Sequence, residues 1–181
     1  KTALRAPLTK KQFLQHLNSF KTQIRKILDF DNKKNPIDFV FNSAWLSKLD
    51  FERLVRLASN FTVQQMLERD MFEKRVREGK PLYMHEFFYP LLQGYDSVAM
   101  EVDLEIGGTD QTFNMLAGRT LVRRYLNREK FVLTTSLLIN PATNEKLMSK
   151  SAGTGIGLHE KPEEMFAKVM ALPDESMWQV F

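Results

Sequence analysis

The chain has 181 residues, enough for a sizeable hydrophobic core, and its hydrophobic (43%) and charged (27%) fractions are ordinary for a globular protein. It has no cysteine, which excludes disulfides and cysteine-bound metals, and its three histidines lack the spacing of metal ligands, so we predict no metal site. The net charge of +4 is compatible with an anionic partner such as a nucleotide or RNA, and no apolar run is long enough to cross a membrane.

The first half of the chain is predicted to be mainly helical. Thr9 to Gln12 has the sequence of a capping box, and apolar residues recur at helical spacing from there to residue 28. Residues 37–41 have the composition of a short strand, and helices are predicted over 50–59 and 62–78. The next helical pattern, over 85–100, contains Pro90, which predicts either a kink or a helix that begins close to that proline.

The middle of the chain has the pattern of a βαβ unit. Residues 102–106 alternate between apolar and polar, which predicts a strand. Gly107 and Gly108 then turn into a helix that extends to Leu126, and residues 131–135 form a second strand. Two strands joined in this way are expected to be parallel, with a right-handed crossover.

Three polar groups of residues are candidates for a binding site. Tyr89, Gln93 and Asp96 lie at i, i+4 and i+7, so they share one face of a helix, which either lines a pocket or faces solvent. Asp110, in the turn after the first strand, either binds the hydroxyls of a ribose or caps the following helix. The segment 145–157 is rich in glycine and lysine, a composition suited to binding phosphates and also typical of a flexible hairpin.

Taken together, these motifs resemble the tyrosyl-tRNA synthetases of class I. The resemblance is carried by the helical motif from Tyr89 to Asp96, by Glu-Ile-Gly-Gly-Thr-Asp-Gln at 105–111 and by Met-Ser-Lys-Ser at 148–151. Residues 41–46, 61–67 and 113–114 are also similar to that family, so the resemblance covers nearly the whole chain.

The resemblance implies an α/β fold with a partial Rossmann-like parallel sheet and a helical insertion. We expect residues 1–181 to be a central fragment of a bacterial-type catalytic domain, because the chain opens without a methionine and stops inside an amphipathic run. Residues 44–84 would form the insertion and the dimer interface, and 102–157 the nucleotide-binding βαβ unit with the signature loop. The first strands and the anticodon-binding region are expected outside the chain, and the fragment alone is expected to be inactive.

The reaction implied by the resemblance is the ATP-dependent activation of L-tyrosine and its transfer to tRNA(Tyr). It would use ATP with Mg²⁺, in a cytoplasmic homodimer with no membrane partner. Asp96 would accept a hydrogen bond from the phenol of the substrate, while Tyr89 and Gln93 would hold its amino group. The remaining assignments are Gln111 near the amino and carboxylate end of tyrosine, and Gly108 and Asp110 at the ribose of ATP.

The resemblance assigns the signature loop to catalysis and ATP binding through Lys146, Met148, Ser149, Lys150 and Ser151. Lys150 would stabilise charge on the pyrophosphate side of the transition state, and the two serines would donate hydrogen bonds. The sequence departs from the signature at Leu147, where the family has its first lysine. Either Leu147 is an insertion and Lys146 keeps the role, or that role is lost.

Two alternatives to a tyrosine enzyme remain open. The related tryptophanyl enzymes share the Gly-x-Asp-Gln element, although an indole needs a different polar partner from a phenol. The chain could also be a non-catalytic RNA-binding or dimerisation module derived from such an enzyme. Retention of Asp96, Asp110, Gln111 and Lys150 favours catalysis, since a scaffold does not need that combination.

Overall fold

A computed structural model describes residues 9–140, 143–144, 146–148 and 155–180 of the chain. The chain divides into two compact units, a central unit formed by Phe41–Leu137 and a terminal unit formed by Lys1–Val40 and Leu138–Phe181. In chain order the described elements are α1 (Lys10–Ile24), α2 (Ser43–Leu46), α3 (Phe51–Ala58), α4 (Val63–Leu67), α5 (Asp70–Arg77), α6 (Met84–Ala99), β1 (Leu104–Gly108), a 3₁₀ turn (Thr109–Gln111), α7 (Thr112–Leu126), β2 (Phe131–Thr135), α8 (Pro162–Met170), a 3₁₀ turn (Asp174–Ser176) and α9 (Met177–Val180).

The core of the central unit lies around the packed pair α6 and α7. Two glycines allow these helices to approach closely: a Cβ on Gly94 would lie 3.1 Å from the backbone nitrogen of Gly118 and 3.0 Å from Cδ1 of Leu121. Larger residues at this crossing would push the helices apart, because protein interiors have little spare volume. The buried apolar side chains of this core are Leu57, Met66, Leu91, Val98, Leu121 and Val122.

The βαβ unit predicted from the sequence is confirmed. β1 and β2 pair in parallel, with Leu104 opposite Phe131 and Gly108 opposite Thr135, and α7 connects them. β2 has the predicted bounds, whereas β1 begins two residues later than the prediction and continues through both glycines. The fold is therefore α/β, with a small parallel sheet against which α7 packs, while alternate side chains of both strands are exposed.

Three other sequence predictions differ from the structure. Residues 37–41 form no strand, because among the described residues the only sheet is β1 with β2; the Phe39 ring stacks on Phe30 instead, with centroids 4.7 Å apart. The single helix predicted over 62–78 is interrupted by extended backbone at Arg69 (φ −63°, ψ 122°). α6 begins at Met84 and continues through the buried Pro90, so the alternative in which the helix begins close to that proline is wrong.

In the terminal unit, α1 begins with the predicted capping box. The Thr9 hydroxyl accepts from the Gln12 backbone N–H at 3.3 Å, and Gln12 Oε1 accepts from the Thr9 backbone N–H at 3.0 Å.

Just before α8, Glu160 accepts from Lys168 at 2.6 Å, and this hydrogen bond lowers the pKa of Glu160. Across the part of the chain that is described, no helix combines the length and the apolar character needed to cross a bilayer.

Candidate active site

The carboxyl end of β1 opens into a cavity of about 530 Å³ within the central unit. One wall is the 3₁₀ turn and the start of α7, residues 109–113 with Leu116, and the other is the break between α4 and α5, residues 68–71. Of the predicted site residues, Asp110 and Gln111 line this cavity. The position is the one where open parallel sheets bind ligands, and the N-terminus of α7 adds a favourable field for an anion.

Gly108 and Asp110, both predicted to bind the ribose of ATP, lie close together at the end of β1. A Cβ on residue 108 would lie 2.8 Å from Oδ1 of Asp110 and 3.2 Å from Cδ2 of Leu137. The carboxylate of Asp110 therefore lies back over Gly108, in space that any other residue at 108 would fill. A side chain at 108 would make the carboxylate of Asp110 shift, so the glycine serves close approach rather than an unusual backbone angle, since its φ is −71°.

Asp96, on α6, is held by donors from the start of α2. Trp45 Nε1 donates to Oδ1 at 2.7 Å, and Asn42 Nδ2 donates to Oδ2 at 3.4 Å. Burial raises the pKa of Asp96, these two hydrogen bonds lower it in part, and the charge of Glu105 raises it further. Because a carboxylate offers about four acceptor positions, Asp96 retains capacity for a hydrogen bond from a ligand.

Gln93 and Gln111 are linked through one buried amide. Asn114, which is 1% exposed, donates from Nδ2 to Oε1 of Gln93 at 3.0 Å and to Oε1 of Gln111 at 3.1 Å. Gln93 in turn donates from Nε2 to Oε1 of Glu105 at 3.3 Å. The buried Oδ1 of Asn114 has no hydrogen-bond partner. This places a polar atom without a partner beside both glutamines.

Tyr89 is the most exposed of the three α6 residues predicted to form a polar face, at 59%. Its ring lies 6.0 Å from the guanidinium carbon of Arg69, in the break between α4 and α5. Burial lowers the pKa of Arg69, and the neighbouring Tyr89 and Glu86 partly oppose that shift. Tyr89 also lines a second opening of about 260 Å³ with Arg69, Met71, His85 and Glu86.

The signature loop belongs to the terminal unit and is described only in part. Leu147 is 6% exposed, and its backbone N–H donates to Leu138 at 2.9 Å. Lys146 forms a bridge with Ile139, and both Lys146 and Met148 are exposed. The Leu147 side chain thus packs in the interior, while that of Lys146 lies at the surface. The predicted residues Ser149, Lys150 and Ser151 lie outside the described residues.

Several residues of this arrangement were not assigned a site role from the sequence. Trp45, Asn42, Glu105, Asn114 and Lys130 belong to it through contacts between segments far apart in the chain. Asn42, at the start of α2, and Trp45, inside it, have the i, i+3 spacing that places two side chains on one face, but nothing local identified their shared target as Asp96. Within the described ranges, no group of three or more His, Cys, Asp or Glu residues could hold a metal ion.

Comparison with known proteins points to one family. The family model described as tRNA synthetases class I (W and Y) matches residues 1–181. The chain is 50% identical over 178 residues to the tyrosine–tRNA ligase of Haemophilus ducreyi, covering 98% of the chain and 44% of that protein. It is 51% identical over 181 residues to the tyrosine–tRNA ligase of Photobacterium profundum, covering 100% of the chain and 45% of that protein. The chain therefore spans less than half the length of these relatives.

Solved structures support the fold. Tyrosyl-tRNA synthetase from Archaeoglobus fulgidus, complexed with L-tyrosine, matches with a TM-score of 0.65 and 22% identity over 91% of this chain and 50% of that one. A C-terminally truncated mitochondrial tyrosyl-tRNA synthetase from Coccidioides posadasii matches with a TM-score of 0.56 and 18% identity over 98% of this chain and 59% of that one. At such identities the likeness concerns the fold alone.

Proposed function

The chain belongs to the class I tRNA synthetases of the W and Y family, and from this premise we propose that it is the central part of the catalytic domain of a tyrosine–tRNA ligase. The identity of about 50% to bacterial tyrosine–tRNA ligases along the whole chain supports this choice of amino acid. The observation that carries it is Asp96, a half-buried carboxylate held by Trp45 and Asn42 with acceptor capacity left for a phenol.

In the proposed reaction, the carboxylate oxygen of tyrosine attacks the α-phosphorus of ATP. A new oxygen–phosphorus bond forms, the bond to the β-phosphate bridge breaks, and pyrophosphate leaves with the electron pair. A ribose hydroxyl at the end of tRNA(Tyr) then attacks the acyl carbon and displaces AMP. No covalent enzyme intermediate is involved, so the protein contributes positioning and stabilisation of charge.

Within the central unit, each proposed role matches the chemistry of the side chain. Asp96 accepts from the phenol, which makes binding of phenylalanine costly, because the site's polar groups would then be left unpaired. Tyr89 and Gln93 hold the ammonium group of tyrosine, and Gln111 holds its amino and carboxylate end. Asp110, lying over Gly108, accepts from the ribose hydroxyls of ATP.

The roles proposed for the signature loop rest on the resemblance. Lys150 stabilises charge on the departing pyrophosphate, with Ser149 and Ser151 as further donors and Met148 beside the nucleotide. The interior position of Leu147 and the exposed position of Lys146 favour Lys146 as the additional cation of the loop. Mg²⁺ is proposed to enter with the phosphates of ATP.

A homodimer formed through residues 44–84 is part of the proposal. In support, this segment carries strongly exposed apolar side chains, with Phe51 at 81%, Val63 at 64% and Val55 at 51%. Large apolar surfaces of this kind mark interaction sites. The cytoplasm is the compartment proposed, with tyrosine, ATP and tRNA(Tyr) as partners and no membrane association.

The deciding experiment is amino-acid-dependent exchange of pyrophosphate into ATP by the full-length protein that contains this chain. Tyrosine is expected to support exchange, and phenylalanine and tryptophan are not. Asp96→Asn should lower kcat/KM for tyrosine about 10- to 100-fold, the cost of a charged hydrogen bond. Asp103→Asn, at an exposed carboxylate (side chain 80% exposed), is the matched control and should leave exchange unchanged.

Two results would replace the proposal with its alternatives. Exchange driven by tryptophan and not by tyrosine would indicate the tryptophanyl relative. Absence of exchange with every amino acid, together with retained binding of tRNA, would indicate the non-catalytic module. The chain of residues 1–181 alone is proposed to be inactive, and substantial exchange by it would contradict that part of the proposal.

A further inference from the structure

A buried ion pair lies beneath the candidate amino-acid site and has no part in the proposed reaction. Lys130, one residue before β2, is 1% exposed, and its ammonium pairs with the carboxylate of Glu105 on β1. The same ammonium donates to the backbone oxygen of Met115 at 3.1 Å, and the hydroxyl of Ser97 donates to Glu105 Oε2 at 3.2 Å. The Lys130 side chain is fully buried, whereas that of Glu105 is 23% exposed. Burying the ammonium costs desolvation energy, so the ion pair is weak evidence for a purely stabilising role.

In the chain of hydrogen bonds that begins at Glu105, the orientation of each amide is set by the partner before it. An ionised carboxylate only accepts, so Gln93 has to turn its Nε2 towards Glu105, at 3.3 Å. The carbonyl oxygen of Gln93 then faces Asn114, which donates to it at 3.0 Å and to Gln111 Oε1 at 3.1 Å. With its oxygen engaged by Asn114, Gln111 has its Nε2 left as the donor for a ligand.

We propose that the Glu105–Lys130 ion pair is a positioning device that fixes the direction of the amides of Gln93 and Gln111. Gln111 thereby presents N–H donors to the carboxylate of the amino-acid substrate, and the oxygen of Gln93 presents a remaining lone pair to its ammonium group. Lys130 is the cation paired with Glu105, the acceptor at the origin of the chain of hydrogen bonds. The inference rests on the proposed function, and it makes both residues positioning residues that do not touch substrate.

The test distinguishes two roles for the Glu105–Lys130 ion pair: setting the orientation of the side-chain amides, and simply supporting the structure. Exchanging the two residues, Glu105→Lys with Lys130→Glu, keeps an ion pair at this place but puts a group with donors only where the acceptor was. Glu105→Gln keeps the shape of residue 105 and lets the amides turn either way. Asp103→Asn, two residues before Glu105 on an exposed carboxylate, is the control for loss of a charge near β1.

Tyrosine KM and kcat are measured by ATP–pyrophosphate exchange on the full-length protein. Glu105→Gln and the exchanged pair are expected to raise KM for tyrosine about tenfold, the value of one misdirected charged hydrogen bond, with a smaller change in kcat, while the control matches the wild type. Wild-type KM in the exchanged pair, or a KM for Glu105→Gln equal to that of the control, would overturn the proposal. If the exchanged pair does not fold, Glu105→Gln decides alone.

A second measurement keeps this inference distinct from the proposed function. The ¹H–¹⁵N resonances of the side-chain amides of Gln93, Asn114 and Gln111 report the network without any activity. They are expected to shift, and their protons to exchange faster, in Glu105→Gln and not in the Asp103 control. Unchanged amide resonances overturn the inference whatever the exchange assay gives. If the resonances shift in Glu105→Gln but the wild-type protein does not activate tyrosine, the inference about the hydrogen-bond network is supported and the proposed function is rejected.

Discussion

Replacing Gly118 with alanine tests the packing on which the buried Lys130 depends. A Cβ at residue 118 would lie 2.6 Å from the Lys130 ammonium and 2.9 Å from the hydroxyl of Ser97. Ordinary contacts of such atoms are about 3.5 Å, so the ammonium would have to move by about 1 Å. Its hydrogen bond to the backbone oxygen of Met115, now 3.1 Å long, would be lost.

The size of the effect follows from opposing contributions. Loss of a hydrogen bond from a charged group costs about 1.5–3 kcal/mol, and overpacking between helices adds about 1 kcal/mol. Alanine favours a helix over glycine by about 1 kcal/mol, which offsets part of that cost. We therefore expect Gly118→Ala to lower the free energy of unfolding by about 2 kcal/mol.

Urea unfolding of the wild type, Gly118→Ala, Lys130→Ala and the double variant measures both the cost and its origin. In the Lys130→Ala background the ammonium is absent, so Gly118→Ala should cost about 1–2 kcal/mol less than it does in the wild type. Arg119→Ala, an exposed neighbour on α7, is the control and should change stability by less than about 0.5 kcal/mol. Additive effects of the two substitutions would refute the reasoning.

Three further predictions concern titration and packing. The pKa of Asp96 is raised on folding, so the stability of the wild type should fall as pH rises from the ordinary aspartate pKa through the pKa in the folded protein. Asp96→Asn should abolish this pH dependence, and in thermal melts at pH 7 it should be more stable than the wild type. A melt in which Asp96→Asn is less stable at pH 7 would contradict this. The hydrogen bond from Arg75 lowers the pKa of Glu86, so the pair should stabilise the fold at pH values above the ordinary glutamate pKa. This contribution should be lost as pH falls through the pKa of Glu86 in the folded protein, and Glu86→Gln should remove this dependence on acid. Leu147→Ala should lower the free energy of unfolding, measured in urea, by about 2–3 kcal/mol because the side chain is buried. Lys146→Ala, at the exposed neighbour, should lower it by almost nothing. Equal losses in the two variants would contradict the interior position of Leu147.

Apart from the parallel pairing of β1 with β2, which follows from the helix that connects them, the parts of the fold that the sequence predicted correctly are determined locally. The capping box at Thr9, the core spacing of the helices and the bounds of β2 depend on residues a few positions apart, which a pattern can reveal. The strand expected at 37–41 failed because a strand also needs a neighbouring strand, which composition cannot supply. The helix expected over 62–78 failed because Arg69 leaves the helical conformation where its side chain reaches the rings of Phe72 and Tyr89.

The candidate site divides in the same way. The polar residues of α6 and the turn at Gly108 to Gln111 could be identified from spacing and resemblance. The partners that orient them could not, because Trp45 meets Asp96 across 51 positions and Lys130 meets Glu105 across 25. Lys130 stands in a run of charged residues that is typical of a solvated surface. Only the space opposite Gly118, which the sequence does not reveal, allows its burial.

The two carboxylates of the site differ in the partners that surround them, and this difference separates their tasks. Glu105 is paired with Lys130 and accepts hydrogen bonds from Gln93 and Ser97, so a ligand has less to gain by approaching it than by approaching Asp96. Asp96 has neutral donors only, and burial raises its pKa, so its ionised form is held at a cost that a donor from a ligand would reduce. A carboxylate that gains from an added donor suits contact with a phenol, whereas one that is paired with a cation and accepts from two further side chains suits the fixed origin of a hydrogen-bond chain.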